Sequence, residues 1–514
     1  MKYDAIVVGA GPNGLTAAAV LAKRGRRVLV LESAPEIGGH TRTIEFAEGF
    51  RSPLNEDMGW VPPRLARLAG AGKLQRAGGA VSTSVMGGEG AKLHLPTRVA
   101  GAVDHIKPLS SRDAARWAAF VTRLRKFAGI LEDLYGLVPP DIDTTSVREV
   151  LPLVAVGRKL RGLGRADMTE FLRVMPMSVQ DLLDDTFEND LLKSAVAAAG
   201  VRDLQQGPRS GGTTFNLLHY MVGALPGSVR GRPWYANSPT AFAESASAVI
   251  LKRRGEIRTS TRVERITTKD GAVTGVVLGN GDEIAATTVV STADPQRTLL
   301  GMIDPVWLDP EFMLSVRNIK MRGCSAFVFY GLERAVDDSL KSFTAAVSLT
   351  QTTALLEQAA DSAKYGTVSD NPHVEVFSPT QRWPQLAPEG KHVLTARVQY
   401  APFQQEWTKA SVAALEKKVT AAISRVIPGF DATILQRVVL TPRDVEERFG
   451  VTGGALTQGE MTLDHILFMR PVPGWGHYRM PIKGLFLGGA GTHPGPGILG
   501  GAGYLAAKTA LRRA

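Results

Sequence analysis

At 514 residues, 44% of them hydrophobic and with a mean hydropathy of −0.01, the chain is neither disordered nor fibrous and exceeds one ordinary domain. Its single cysteine, Cys324, excludes an intramolecular disulfide framework, a CxxC redox pair and a cysteine-rich metal site. The net charge of +11 leaves solubility or an anionic membrane surface as its reading, since no basic motif interleaved with aromatics points to nucleic acid.

The strongest signal lies in residues 1–39. Residues 3–8 are short, apolar and β-branched, and read as a buried strand. They run into Gly9, Gly11 and Gly14, spaced GxGxxG, and then into an Ala- and Leu-rich helix that Gly25 ends. A second strand follows over residues 27–31, with Glu32 at its tip. Gly9 permits the tight turn, Gly11 lets backbone approach a diphosphate, and Gly14 lets the helix pack on the sheet. The helix start, with Pro12 and Asn13, turns free N–H groups toward the anion. Glu32 follows Gly11 at about the 20-residue distance of a carboxylate that accepts from a ribose, which disfavours a 2′-phosphate. The early apolar run is used up as strand and helix, so no secretory signal is expected. No unbroken apolar run of about 18 residues predicts a transmembrane span. The expected location is cytoplasmic, or peripheral on a membrane.

After Glu32 the chain reads SAPEIGGHTRT. This resembles the extended dinucleotide-binding motif of FAD-dependent amine oxidases, phytoene desaturases and their relatives. The resemblance implies FAD, with Ser33, Gly38, Gly39, Thr41 and Arg42 near the cofactor. Relatives commonly carry Arg directly after the glycine pair, where this chain has His40.

Residues 46–90 read as loop-rich, and Asn55, Asp57 and Trp60 are candidates for a cofactor or substrate edge. Residues 110–219 show helical spacing and are expected to form a cap over the substrate site. One stretch, residues 151–165, is basic and amphipathic. It suits either a membrane surface or inward packing with a solvated basic face. A helix over residues 239–251 leads into short strands with hairpin turns at Asp270-Gly271 and Asn280-Gly281. By resemblance this is the second FAD-contacting segment. There Val263 would meet adenine, and the strand ending at residues 291–294, with Thr292, would return to the nucleotide-binding sheet. Where relatives often show a glycine pair this chain has Asn237 and Ser238. Residues 312–458 are expected to form an antiparallel substrate-domain sheet with flanking helices.

The tail, GLFLGGAGTHPGPGILGGAGYLAAKTALRRA, repeats the logic of the opening: a strand, glycines, then a helix starting near residue 498. It resembles the tail signature of phytoene desaturases and phytoene dehydrogenase-like proteins, including the pyridine nucleotide-disulfide oxidoreductase domain-containing protein 2 group. The resemblance implies that Gly491, Ile498 and Leu499 border the flavin, and that a helix dipole stabilises its reduced form. The fold class expected is α/β. A Rossmann-type FAD-binding domain (residues 1–108, 229–305 and 470–514) would carry an inserted helical cap (109–228) and a mixed α+β substrate domain (306–469).

Only one nucleotide fingerprint is present, so no separate NAD(P)H domain is expected, and electrons would pass to oxygen or a quinone. No metal-binding, paired-acid or Ser-His-Asp constellation stands out. The pocket candidates are His219, Tyr220, His477, Tyr478 and His493. The expected function is an FAD-dependent desaturase or dehydrogenase, moving hydride from a lipophilic, isoprenoid- or carotenoid-like substrate to flavin N5. A flavin-dependent isomerase or saturase of the same fold is the alternative enzyme, and a non-catalytic FAD-stabilised scaffold the alternative of another class.

Overall fold

Three stretches far apart in sequence build one parallel sheet in the computed structural model, which describes residues 3–78, 81–140, 147–335 and 345–512. Its strand order is Leu485–Leu487, Val289–Ser291, Ala5–Val8, Val28–Leu31, Glu256–Arg258. The four residues of each of the two opening strands are fully buried, as a sheet covered on both faces requires. Asp270 and Gly271, at φ +50° and +71°, turn the hairpin of Val263–Lys269 with Ala272–Leu278 as their sequence predicts.

Helix Pro12–Lys23 covers this sheet and packs against the C-terminal helix Gly501–Leu511 and helix Ala241–Lys252. The contacts are backbone to backbone. A Cβ on Gly14 would lie 1.9 Å from the Gly9 carbonyl oxygen, and one on Gly503 would lie 1.9 Å from the Asn13 carbonyl oxygen.

The C-terminal helix starts at Gly501, three residues later than the sequence suggests. Residues 497–499 form a turn with an isolated bridge from Ile498 to Trp60: Trp60 N donates to Gly497 O at 2.7 Å and Leu499 N to Trp60 O at 2.8 Å. The loop-rich stretch likewise contains a hairpin, Thr43–Ala47 with Phe50–Pro53, turned at Gly49.

A second, seven-stranded sheet runs in the order Ile434–Leu440, Ser325–Leu332, His392–Gln399, His373–Phe377, Val347–Ser348, Val81–Met86, Lys92–Pro96. The last two strands fall within residues 1–108, assigned above to the nucleotide-binding domain, yet they pair here. One face of the sheet is apolar, with Ala326, Val328, Val376, Leu394 and Val398 under Leu415, Val419 and Ile423 of helix Lys409–Val426. The opposite face is also buried and mixes polar residues, among them Arg397, Glu375 and Gln399, with Phe327 and Phe329.

The cap comprises helices Ser111–Leu134, Val147–Gly162, Gly164–Val174, Val179–Asp184, Asp190–Gly200 and Thr213–Met221. Ser110, Ser178 and Asn189 cap three of them by accepting from backbone N–H groups in the first turn. Trp117, Phe120, Phe127, Phe171 and Phe187 fill its centre.

The helix contact at Gly503 makes a signed prediction. Gly→Ala inside an exposed helix stabilises by roughly 1 kcal/mol. Here Gly503→Ala should instead destabilise by about 1–3 kcal/mol, because the new methyl drives the two helices apart. Urea unfolding of the two proteins decides the sign.

Candidate functional site

The glycine turn is built to face an anion. Gly11 caps helix Pro12–Lys23 without a side-chain hydrogen bond, and the next backbone in front of it is Gly39, whose Cβ would lie 3.0 Å from Gly11 Cα. Two bare backbones therefore face each other at a helix N-terminus, where free N–H groups and the helix dipole favour negative charge. Asn13 Oδ1 and Thr16 Oγ1 are buried there without a hydrogen-bond partner. Glu32 is buried at the strand tip; Oε2 accepts from Ala10 N at 2.7 Å and Oε1 from Ala34 N at 2.8 Å. Oε2 keeps a further lone pair for a ribose hydroxyl. Val263 is buried beside it, since Thr261 N donates to Glu32 O at 2.7 Å.

Thr292 closes the turn from above. Its N and Oγ1 both donate to Val8 O at 2.9 Å, and a Cβ on Gly9 would strike its Oγ1 at 2.5 Å. Gln458 ties it to the tail, Nε2 donating to Thr292 O at 3.0 Å while Oε1 accepts from Gly491 N at 2.9 Å. Gly38 N donates to Ala10 O, and Thr41 Oγ1 to Gly38 O. Ser33 is exposed and donates to Glu32 Oε1 at 3.3 Å.

Arg42 Nη2 donates to Arg448 O at 2.6 Å and the guanidinium lies over the Phe449 ring, so helix Pro442–Phe449 engages it.

Arg470 organises the tail. It is fully buried and has no carboxylate partner among the described residues. Nη1 donates to Gly459 O and His465 O, and Nη2 to Thr457 O, Gly459 O and Ala490 O at 2.9–3.2 Å. Burial pushes its guanidinium down to about 9.

The pocket candidates separate. His219 is completely buried, with Nε2 at 2.7 Å from Pro496 O and Nδ1 at 2.7 Å from the Tyr135 hydroxyl. A carbonyl needs a donor, so Nε2 carries the proton and Nδ1 accepts. Burial, then Arg232, pushes its pKa down to about 3, so the ring is neutral and both nitrogens are committed. His493 Nε2 likewise meets Leu134 O at 3.1 Å; burial takes it to about 4, and Nδ1 is left as a buried acceptor without a partner. Tyr220 donates to Asp203 Oδ2 at 2.6 Å and points into the charged layer described next. Tyr478 is a core residue, fully buried with its hydroxyl donating to His493 O. His477 packs on Trp475, which in turn packs on Phe312, in a separate apolar cluster.

The sequence reading missed a buried ionic layer between cap, tail and seven-stranded sheet. Glu56 accepts from Arg202 and from Arg230, each at 2.5 Å, and Arg230 also bonds Glu375. Asp203 bonds Arg397, and Arg232 pairs with Asp57 at 3.3 Å while donating to Gly497 O at 3.1 Å. Burial pushes the Glu56 carboxyl up, but Arg202 and Arg230 overcome it and hold it well below the usual carboxylate range. Asn55 is the weak outer partner of Arg202, at 3.5 Å. The missed signal is alternation: Glu375 and Arg397 sit at polar positions of otherwise apolar strands.

Residues 7–59 match the NAD(P)-binding Rossmann-like domain, and residues 214–510 match the flavin containing amine oxidoreductase family. The chain belongs to that family. It is 30% identical to pyridine nucleotide-disulfide oxidoreductase domain-containing protein 2 of Rattus norvegicus, over 99% of this chain and 94% of the relative. It is 24% identical to phytoene desaturase (neurosporene-forming) of Cereibacter sphaeroides, over 98% of this chain and 93% of the relative. Cyclohexylamine oxidase from Brevibacterium oxydans shares the fold, with a TM-score of 0.59 at 14% identity over 100% of this chain and 98% of that one. The cofactor is FAD, and the residues fit it. The bare helix mouth at Gly11 and Gly39 suits the diphosphate, Glu32 the ribose, and the glycine tail held by Gln458 and Arg470 the flavin end.

Two predictions follow from these charges. Arg470→Met leaves the carbonyls of Thr457, Gly459 and Ala490 without their donor, so the tail loosens and the protein should purify with under half its FAD, read from the visible-to-ultraviolet absorbance ratio. Acid should also unfold the protein early. His219, His465, His373 and His493 are held neutral down to about 3, 3, 4 and 4 by burial first. Unfolded, each protonates near 6.5. The unfolded chain therefore binds more protons below that value, so stability is complete above about pH 6.5 and drains as pH falls toward 4, by up to about 1.4 kcal/mol per pH unit for each ring. Urea midpoints measured from pH 7.5 to 4.5 test the slope.

Proposed function

We propose that the protein is an FAD-dependent dehydrogenase or desaturase acting on C–H bonds of a lipophilic substrate. When bound, FAD supplies a hydride acceptor at N5 and returns the electrons to an external acceptor, oxygen or a quinone. The observation that carries this reading is the state of His219, which is buried with Nε2 on Pro496 O and Nδ1 on the Tyr135 hydroxyl, so its ring has no free nitrogen to take a proton. Chemistry beside the tail is then better served by loss of a hydride than by proton abstraction.

The chain's own residues orient and exclude water. Trp60, paired through its backbone with Gly497 and Leu499, lies across Gly223, where a Cβ would sit 2.0 Å from its ring. Met461, Ile498 and Tyr400 belong to the apolar cluster that joins cap to tail. The relative named a phytoene desaturase supports an isoprenoid-like substrate. The cap also supports peripheral contact with an anionic lipid surface: Leu151 and Val154 are exposed on helix Val147–Gly162, in line with exposed Arg158 and Arg161. Among the described residues no helix is long and apolar enough to cross a membrane.

Anaerobic addition of polyene, isoprenoid and amine compounds to the FAD-loaded protein tests the reading. An isoprenoid or polyene should bleach the oxidised band at about 450 nm, as for flavins generally. Bleaching by amines alone would overturn the substrate class. In the same assay Glu32→Ala should weaken FAD binding by about 10- to 100-fold, the worth of a charge-assisted hydrogen-bond pair to the ribose.

A further inference from the structure

The positive charge of the chain is not spread evenly. Residues 12–31 hold Lys23, Arg24, Arg26 and Arg27, and residues 60–76 hold Arg64, Arg67, Lys73 and Arg76, with no carboxylate in either stretch. Residues 241–255 add Lys252, Arg253 and Arg254 against Glu244, and residues 501–512 add Lys508 and Arg512. These thirteen cations and one carboxylate outweigh the net charge of the whole chain, +11, so everything else is close to neutral.

The fold gathers them. Helices Pro12–Lys23, Ala241–Lys252 and Gly501–Leu511 lie side by side and run the same way. A Cβ on Gly500 would meet Thr16 and Phe242, and one on Gly503 would meet Asn13, so all three start together at the glycine turn. At their far ends, strand Val28–Leu31 pairs with Glu256–Arg258, and a Cβ on Gly255 would lie 3.5 Å from Val28 O. The turn holding Arg24 and Arg26 therefore lies against the turn holding Arg253 and Arg254. Lys23 Nζ donates to Leu68 O at 2.5 Å and Arg64 lies over the Tyr504 ring, which lays helix Pro63–Leu68 alongside. Arg24, Lys252, Arg253, Arg254 and Arg512 are exposed.

Folding does not explain this end. A helix C-terminus favours a cation in its last turn, which accounts for Lys23, Lys252 and Lys508. It does not account for the arginines beyond them. Burial lowers the Lys23 and Lys508 ammonium groups, and neighbouring Arg253, Arg512 and Arg64 lower them further, so like charges stand within reach of one another. The carboxylates here are engaged: Asp4 accepts from Arg27 N at 2.7 Å, and Glu256 from Arg258 and Tyr3. Among the described residues none of Arg24, Arg253, Arg254 or Arg512 is in an ion pair.

An anionic partner is the complement of such a surface. Helices that meet it end-on have no side to lay in a nucleic-acid groove. No aromatic ring is exposed among the described residues of these four stretches to stack on a base, Tyr504 being covered by Arg64. Leu251, 56% exposed, directly precedes Lys252, and an aliphatic side chain amid cations fits a lipid headgroup layer.

We propose that the end of the nucleotide-binding domain opposite the glycine turn docks on a bilayer carrying anionic phospholipid. Arg24, Arg26, Arg253 and Arg254 meet lipid phosphates, and Leu251 enters the headgroup layer. This goes beyond the FAD-dependent reading above and does not rest on it. The cap contact argued there supplies apolar side chains, whereas this end supplies charge.

The test sediments the FAD-loaded protein with vesicles. Phosphatidylcholine with about 30% phosphatidylglycerol should be bound at least about tenfold more tightly than phosphatidylcholine alone, and about 0.5 M salt should remove most of that difference. Arg24→Glu with Arg26→Glu, and Arg253→Glu with Arg254→Glu, should each weaken binding to the anionic vesicles at least about tenfold while FAD content stays at the wild-type level. Lys417→Glu with Arg425→Glu, both exposed on helix Lys409–Val426, makes the same change in net charge and should alter binding by less than about threefold. Equal binding to the two vesicles overturns the proposal, as does an equal loss in the Lys417 and Arg425 variant or undiminished binding in both variants of the basic end. Loss confined to Arg158→Glu with Arg161→Glu would also overturn it and leave the cap contact standing. Duplex DNA that strips the protein from the vesicles at equal phosphate concentration would assign this end to nucleic acid instead.

Discussion

Everything at the cofactor end depends on backbones meeting without side chains between them. Gly14 touches Gly9, Gly503 touches Asn13, and Gly9 sits beneath Thr292. Each contact joins a different part of the chain, so residues near 10, 290 and 500 converge on one helix N-terminus. The free N–H groups there cannot be served by a nearby side chain, because the residues that could carry one are glycines. An anion-binding mouth is the product of that constraint.

The seven-stranded sheet solves a different problem with period-two alternation. Its apolar face is an ordinary core under helix Lys409–Val426. Its other face would be solvated in most antiparallel sheets, but here the cap and the 55–60 loop bury it. Polar residues then remain at positions where water is excluded, and they are stable only because Glu56 and Glu375 face Arg230, and Asp203 faces Arg397. The cap helices thus turn a sheet surface into an interior with a fixed electrostatic pattern.

The sequence made the nucleotide end legible because its signals are local. The strand, glycines, helix and acid of residues 5–32 fall within one supersecondary unit, and the hairpin at Asp270-Gly271 within a few residues. The charged layer is illegible for the opposite reason: Glu56 and Glu375 are more than 300 residues apart and meet only through Arg230. His219 and Tyr478 look alike in sequence as buried ring residues near a site, yet one spans cap and tail and the other fills the sheet core. The late start of the final helix was hidden too, since the Trp60 backbone that bonds Gly497 and Leu499 lies over 400 residues upstream.

The two ends of the site also differ in how they hold charge. At the glycine turn, partial charges on fixed N–H groups wait for a permanent anion, and Glu32 supplies the acceptor that selects a ribose. At the tail the charge is whole and buried on Arg470, surrounded by carbonyls and neutral histidines instead of a carboxylate. A carboxylate there would cancel the field. Carbonyl oxygens satisfy the hydrogen bonds of the guanidinium and leave its net charge acting on what lies beside it. The neutrality of His219, His465 and His493 follows in part from that field, since Arg470 opposes protonation of all three. One buried arginine therefore fixes the backbone of the tail and also sets the electrostatics in which any reaction beside it must proceed.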